Sequence, residues 1–373
     1  MTHSTLAPSS ASRRMQCPGS RVMCEMYPQA EDDPRSAEGT LAHAVNLAYY
    51  MAKPIPDGAT DEMLDGAELW QETISAMLNE GGPVVFGFEE TMGISSIHPD
   101  CFGTPDFWCY LVDKHKIHVV DYKFGHRFVD EFENWQLIEY AVGAVDKVWA
   151  DMPAHFNDNP AERVASLEIV LTVVQPRYYS KSGPVRSWTI TGTQYGEYFI
   201  KLRDAEKLSM QPDAMCHTGP ECRDCSGRHA CTPLQQAAAI EVEMSVVNAP
   251  FDLSANVQGW ELKNIKKSIA ILEARESGLE NEVLAKIKQG APVAGWKTEQ
   301  GMGREKWDKP IEEVLALGGM MGVDIAKPQA ITPKQAIKKG LPAELVAQYS
   351  TTPLGEVKLA VDNLTVSRKI FKQ

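Results

Sequence analysis

Two spacings of apolar residues alternate along the chain. Between 61 and 80, Leu64, Leu69, Ile74, Met77 and Leu78 recur with helical period. Leu41, Val45, Leu47 and Ala48 predict another helix over 37–52, broken by Pro54-Ile55-Pro56-Asp57-Gly58. Upstream, Ser9 and Ser10 can cap a short helix running toward Cys17, which Pro18-Gly19 ends, and 25–36 reads as a polar loop. Apolar or alternating runs over 83–90, 106–112, 117–123, 166–175 and 185–190 predict strands. Helical spacing returns at 134–149 and 193–208. This succession predicts an α/β (α+β) protein with a mixed central sheet flanked by helices.

The pattern changes near 240–255, which divides the chain into two expected regions, 1–235 and a mostly helical 240–373. The second opens with a long helix over 255–289, whose Leu262, Ile265, Ile269, Leu272, Leu279 and Val283 predict a packing face. Its tail suggests a short helix after Thr332-Pro333 and a closing strand near 356–361. A chain of 373 residues with 43% hydrophobic and 23% charged residues is ordinary for a soluble globular protein. No apolar run reaches the length of a membrane span, and the first residues lack the apolar core of a signal peptide, so a cytoplasmic location is expected. The net charge of −13 argues against a whole-surface coat on nucleic acid but leaves room for a local basic groove.

Chemistry concentrates in GTPD (103–106) and VVDYK (119–123). A hairpin turning at Asp113-Lys114-His115-Lys116, with Val112 facing Ile117, sets Asp106 opposite Lys123. Alternation puts Asp121 and Lys123 on one face. Opposed Cβ atoms lie roughly 4.5–5.5 Å apart, so Asp106, Asp121 and Lys123 are expected to converge. Two adjacent carboxylates repel unless a cation sits between them, which makes the patch a natural Mg²⁺ or Mn²⁺ site. Gln136 and Tyr140 share a face of the following helix, and His43 sits in the upstream one.

Of eight cysteines, Cys216, Cys222, Cys225 and Cys231 crowd into one short segment, while Cys17, Cys24, Cys101 and Cys109 lie elsewhere. Cys222-x2-Cys225-x5-Cys231 has ligand spacing, and Cys216 and Cys17 compete for the fourth place. The local set reads as a structural Zn²⁺ site.

Taken in order, Cys17-Pro18, AEGTLAH (37–43), GTPD, DYK, Gln136-x3-Tyr140 and the late cysteines resemble the RecB-like branch of the PD-(D/E)XK nucleases. That branch includes AddB-type recombination nucleases and CRISPR-associated RecB-like exonucleases. The resemblance covers about 9–235, and LAPSSASRRMQCPGS (6–20) is similar to strings in a group of phage and prophage proteins of this branch. It implies a restriction-endonuclease-like core over 1–235 and a divalent-metal-dependent deoxyribonuclease, expected to be an exonuclease of phage recombination or replication.

Under the resemblance, Asp106 and Asp121 are the metal carboxylates and His43 a further ligand. Lys123 orients or activates the attacking water. Gln136 and Tyr140 position the phosphodiester or support the lysine, and Glu89 or Glu90 supports the site or ligates a second ion. The iron–sulfur members imply a 4Fe–4S cluster on Cys17, Cys222, Cys225 and Cys231, with Cys24 and Cys216 as spare thiols, against the zinc alternative. The implied partners are DNA and a phage single-strand-binding or annealing protein. A non-catalytic DNA-binding or assembly subunit on the same fold is the competing expectation.

Arg177, Lys181, Arg186, Lys263, Lys266, Lys267, Lys334, Lys338 and Lys339 are candidate phosphate contacts, with Trp296 and Trp307 as candidate stacking groups.

Overall fold

The computed structural model describes residues 6–28, 34–152, 160–178, 182–244 and 255–296, with 342 and 344. The described residues up to Gly290 belong to one compact unit. The expected tail helix and strand, Lys181, Trp307, Lys334, Lys338 and Lys339 lie outside the described residues.

Four helices come first: α1 (Ala11–Gln16), α2 (Ser20–Met26), α3 (Pro34–Tyr50) and α4 (Asp61–Leu78). Thr60 caps α4 by accepting from the Met63 N–H, and Asp61 and Glu62 complement its N-terminal dipole. The strands are β1 (Val84–Phe88), β2 (Met92–Gly93), β3 (Phe102–Gly103), β4 (Phe107–Leu111) and β5 (Lys116–Tyr122). Then come α5 (Trp135–Asp151), α6 (Pro160–Ala165), β6 (Glu168–Val174), β7 (Val185–Thr191) and α7 (Gly192–Ser209). Two short 3-10 turns (Pro220–Asp224 and Ser226–His229) lead to α8 (Thr232–Met244) and α9 (Ala255–Lys288). The polar-loop expectation for 25–36 missed the last turn of α2 and the start of α3.

A five-stranded sheet has the order β1-β4-β5-β6-β7. The β5–β6 pair is parallel and the others antiparallel, so the sheet is mixed. Helix α5 connects β5 to β6, as a parallel pair requires. Both faces of β4 are buried. Trp108, Tyr110, Ile117 and Val119 pack with Leu137, Ile138 and Ala141 of α5 and with Tyr198 and Leu202 of α7. Phe107, Cys109, Val120 and Tyr122 pack with Ala42 and Val45 of α3 and with Trp70 and Ile74 of α4. The result is a sheet between two helical layers.

The hairpin register differs from the sequence expectation. Phe107 faces Val120 and Leu111 faces Lys116, so continuing the ladder puts Asp106 opposite Asp121 rather than Lys123. Val112 leaves the strand for a 3-10 turn over Val112–Lys114, and His115 closes it at φ +49°. The slip is two residues. Side-chain direction has period two, so Asp106, Asp121 and Lys123 keep their common face.

A buried ion triad ties α1 to the core. Arg14 Nε donates to Glu206 at 2.6 and 2.7 Å, and Nη2 donates to Glu139 at 3.2 and 3.0 Å. All three residues are buried, and Cys101 Sγ donates to Glu139 at 2.9 Å. Burial pushes the Glu139 carboxyl up to about 7 against the pull of Arg14.

The expected packing stripe of α9 is buried only in part: Leu272 packs against the cluster around Leu234, and Val283 is half-buried. Ile271 and Ala274 pack with Leu234, Ala238 and Cys222, whereas Leu262, Ile265, Ile269 and Leu279 are exposed. The surface offered by the cysteine turns is short and meets the helix near Gly278, where an added Cβ would stand 2.7 Å from Arg228 and 2.9 Å from the His229 nitrogen. Trp296 is exposed. No described helix is long and apolar enough to cross a membrane.

Candidate functional site

The end of β1, the start of β4 and the end of β5 meet at one end of the sheet because β4 runs antiparallel to both neighbours. This is also the carboxyl end of the parallel pair β5–β6, where open α/β sheets place ligands. Glu89, Asp106, Asp121 and Lys123 therefore arrive together. Asp106 Oδ2 accepts the Tyr122 N–H at 2.6 Å, and its carbonyl accepts the Glu89 N–H at 3.1 Å. Gly103 permits the approach of the helical layer, since a Cβ there would stand 2.6 Å from Pro8 and 2.9 Å from the Tyr140 ring.

His43 comes from α3 and points Nδ1 at Asp106 Oδ1, 3.1 Å away. His43, Glu89 and Asp106 each offer a ligand atom, all within 4.8 Å of one another. Burial lowers the His43 pKa, but the Asp106 carboxylate outweighs it and the net shift is upward. Glu89 is raised by burial and then by Asp106. Its backbone sits at φ +41°, a conformation that costs a non-glycine residue free energy and occurs preferentially at functional positions. Glu90 points elsewhere, accepting from Trp108 Nε1 at 3.1 Å and pairing with Lys147 at 3.3 Å.

Asp121 is buried beside this trio and faces Lys123, with Nζ and Oδ2 3.0 Å apart. Gln136 closes the ring. Its Nε2 donates to Asp121 Oδ1 at 3.1 Å, and its Oε1 accepts from Lys123 Nζ at 3.2 Å. Tyr140 OH lies 3.5 Å from Gln136 Nε2. Asn134 caps α5 and so fixes where Gln136 and Tyr140 emerge. Burial works to lower the Lys123 pKa, but Asp121 and Asp106 overcome it and hold the ammonium charged. Burial raises Asp121 against the pull of that ammonium.

All six expected residues of this site therefore lie at one sheet end. The closest trio uses Glu89 with His43 and Asp106, while Asp121 is turned toward Lys123 and Gln136. The sequence signal for Glu89 was a carboxylate just past an apolar strand.

A second cluster lies where α1 and α2 meet the two 3-10 turns. Cys17, Cys216, Cys222, Cys225 and Cys231 line one cavity beside Arg13. Cys24 Sγ stands 3.8 Å from Cys225 Sγ. The His217 N–H donates to Cys17 Sγ at 3.3 Å and the Gly219 N–H to Cys222 Sγ at 3.4 Å. Gly19 allows the crowding, since a Cβ there would be 2.7 Å from Cys216 Sγ. Cys17 joins the late cysteines as expected from the sequence, and Cys216 and Cys24 stand with them. Burial raises Cys216 to about 12 and also raises Cys222.

The two clusters are joined. Arg13 Nη1 donates to the Asp224 carbonyl at 2.6 Å, while the Asp224 carboxylate takes Arg127 at 3.1 Å from the loop after β5. Neither Arg186 nor Arg177 is a free phosphate contact. Arg186 is buried, donating to Gln175 Oε1 and the Val129 carbonyl, both at 2.9 Å. Arg177 is held by Glu38 and Glu62 at 2.8 Å each and lies over the Phe124 ring.

A family model described as "Protein of unknown function (DUF2800)" matches residues 3–363, nearly the whole length, and the chain belongs to that family.

Proposed function

We propose that the chain is a divalent-metal-dependent nuclease of the RecB-like PD-(D/E)XK type, acting on DNA in phage recombination or replication. The observation that carries this reading is the meeting of Asp106, Asp121 and Lys123 at one sheet end, with Gln136 hydrogen-bonded to both Asp121 and Lys123. The setting in phage DNA metabolism and a single-strand-binding or annealing partner rest on the sequence resemblance.

The donor set suits a hard cation: oxygen ligands from Glu89 and Asp106, Asp121 adjacent, and one imidazole from His43. When bound, Mg²⁺ or Mn²⁺ lowers the pKa of its water and offsets charge on the phosphate. The residues supply the rest. Lys123 carries a fixed positive charge where phosphate oxygens gather negative charge. Gln136 holds that ammonium in place, so little reorganisation is needed during reaction. Asp106 is anchored by the Tyr122 N–H, which leaves Oδ1 to His43 or to an ion.

The cysteine cavity fits a soft metal group. Sulfurs on one zinc ion lie roughly 3.8 Å apart for Zn–S bonds of about 2.3 Å. Five thiols line a common cavity with Cys24 beside Cys225, more than one zinc ion needs, and the resemblance favours 4Fe–4S. Cys17, Cys222, Cys225 and Cys231 would hold it, stapling α1 to the turns after α7.

The test is digestion of end-labelled single- and double-stranded DNA with Mn²⁺ or Mg²⁺ and a chelator control, beside iron, sulfide and zinc analysis of anaerobically purified protein. Chelator-sensitive cleavage is expected, together with brown protein containing iron and sulfide. Binding without cleavage would assign a non-catalytic DNA-binding subunit. Colourless protein with one zinc would overturn the cluster.

A further inference from the structure

The loop leaving β5 exposes four consecutive residues, Gly125, His126, Arg127 and Phe128, after Lys123 and the buried Phe124. Phe128 is 43% exposed. Its ring packs on Tyr178, in the turn after β6, with centroids 4.8 Å apart and planes at 37°. The Arg186 guanidinium lies against both rings, 5.0 Å from the Phe128 centroid and 4.8 Å from that of Tyr178.

This support is densely hydrogen-bonded. Arg186 is fixed by Gln175, by the carbonyls of Val129 and Gly183, and by Glu131 at 3.4 Å. Gln175 Nε2 donates to the Gly125 and Arg127 carbonyls at 2.8 and 2.6 Å, clamping the loop on both sides of His126. Asp224 holds Arg127 from the other side. An apolar ring held exposed by a buried cationic framework is built to receive a flat ligand. It also leaves the sheet at the same end as Lys123, only five residues along the chain.

We propose that the Phe128–Tyr178 pair is a base-stacking platform, and that the substrate class is a single-stranded polynucleotide whose unpaired base lies on Phe128 while a neighbouring phosphate reaches Lys123. This rests on the nuclease reading above. Every base has a π-face, so such a shelf binds without sequence preference, whereas a paired base in a duplex is already stacked and cannot use it.

The test uses the full chain with Ca²⁺ in place of Mn²⁺ and a 2-aminopurine-labelled oligonucleotide as single-stranded DNA, single-stranded RNA or blunt duplex. Phe128→Ala is expected to weaken single-strand binding about tenfold. With Mn²⁺ it is expected to raise KM by a similar factor with kcat nearly unchanged. Phe128→Trp should restore both, and blunt-duplex binding should not change. Weakening on both DNA and RNA assigns single strands of either sugar, and weakening on DNA alone assigns DNA. Phe128→Ala that binds single strands like the wild type, or that weakens duplex binding equally, overturns the platform. If the wild type binds single strands through Phe128 yet cuts nothing with either metal, the nuclease reading fails and the platform stands.

Discussion

The carboxylate–lysine end of the sheet and the cysteine cavity bring distant residues together by different means. At the sheet end, ladder register does the placing: Asp106, Asp121 and Lys123 share a face because β4 and β5 pair over Phe107–Leu111 and Lys116–Val120. At the cavity, placement rests on short 3-10 turns and side-chain anchors such as Gln16 Oε1, which accepts the Glu221 N–H at 3.1 Å. The sheet end can hold its geometry without a ligand, since its polar groups already partner one another. The cavity gathers thiols that hydrogen-bond weakly and gain most from a shared metal group. Polar groups at the end of a sheet are thus preorganised by the fold, whereas thiols gathered in irregular turns would depend on any group they hold.

Removing Arg14 should damage both regions at once, because α1 carries Cys17 and the triad anchors α1 to the helix bearing Gln136 and Tyr140. Arg14→Ala leaves Glu139 and Glu206 buried without their cation and is expected to cost about 3–5 kcal/mol, read by urea denaturation. A variant as stable as the wild type would show that the triad is not what joins them.

Asp121→Asn and Lys123→Ala should break the sheet end alone. On the proposed nuclease reading, each is expected to lower the cleavage rate by about 10²–10³-fold while leaving the metal content of the cysteine cavity unchanged. Variants that cut at the wild-type rate would mean that the catalytic group lies elsewhere.

Acidity sharpens the comparison further. Glu139 titrates above the ordinary carboxylate range when folded, so the native state binds the extra proton between about pH 4.5 and 7. Its contribution to stability falls as pH rises through that window. Glu139→Gln removes this term, so its stability relative to the wild type should improve by on the order of 1–3 kcal/mol from pH 5 to pH 8. Parallel curves for the two proteins would show that Glu139 does not titrate there.

The smallest effect belongs to the direct tie between the regions. Asp224→Asn loosens an exposed pair with Arg127 and should cost roughly 0.2–1 kcal/mol, less at high salt. A loss of several kcal/mol would mean that the regions depend on each other more than their geometry suggests.

Much of the sheet end was legible beforehand because strand alternation is a local property. VVDYK and GTPD suffice to put two carboxylates and a lysine on one face, and the two-residue register error left that result intact. Glu89 could not be separated from Glu90 by pattern. What separates them is a left-handed backbone at Glu89 and the pull of Trp108 and Lys147 on Glu90. Charge alone made Arg186 a candidate phosphate contact, yet it shares the buried face of β7 with Trp188 and Ile190, and the loop after β5 folds over it. The α9 stripe is met only in part, at Leu272, because periodicity identifies a helix's apolar face but not the size of the surface that meets it.

By itself the sequence determined the five strands of the main sheet and the helices α3, α4, α5, α7 and α9, the mixed α/β class, the common face of Asp121 and Lys123, and the ligand spacing of the late cysteines, all consequences of patterns over a few residues. Tertiary structure alone decided that Glu89 joins His43 and Asp106, that Cys216 and Cys24 stand with the other thiols, and that Phe128 is held outward on Tyr178 and Arg186. Those contacts join segments far apart in the chain, and their geometry is set by packing between layers that no local pattern encodes.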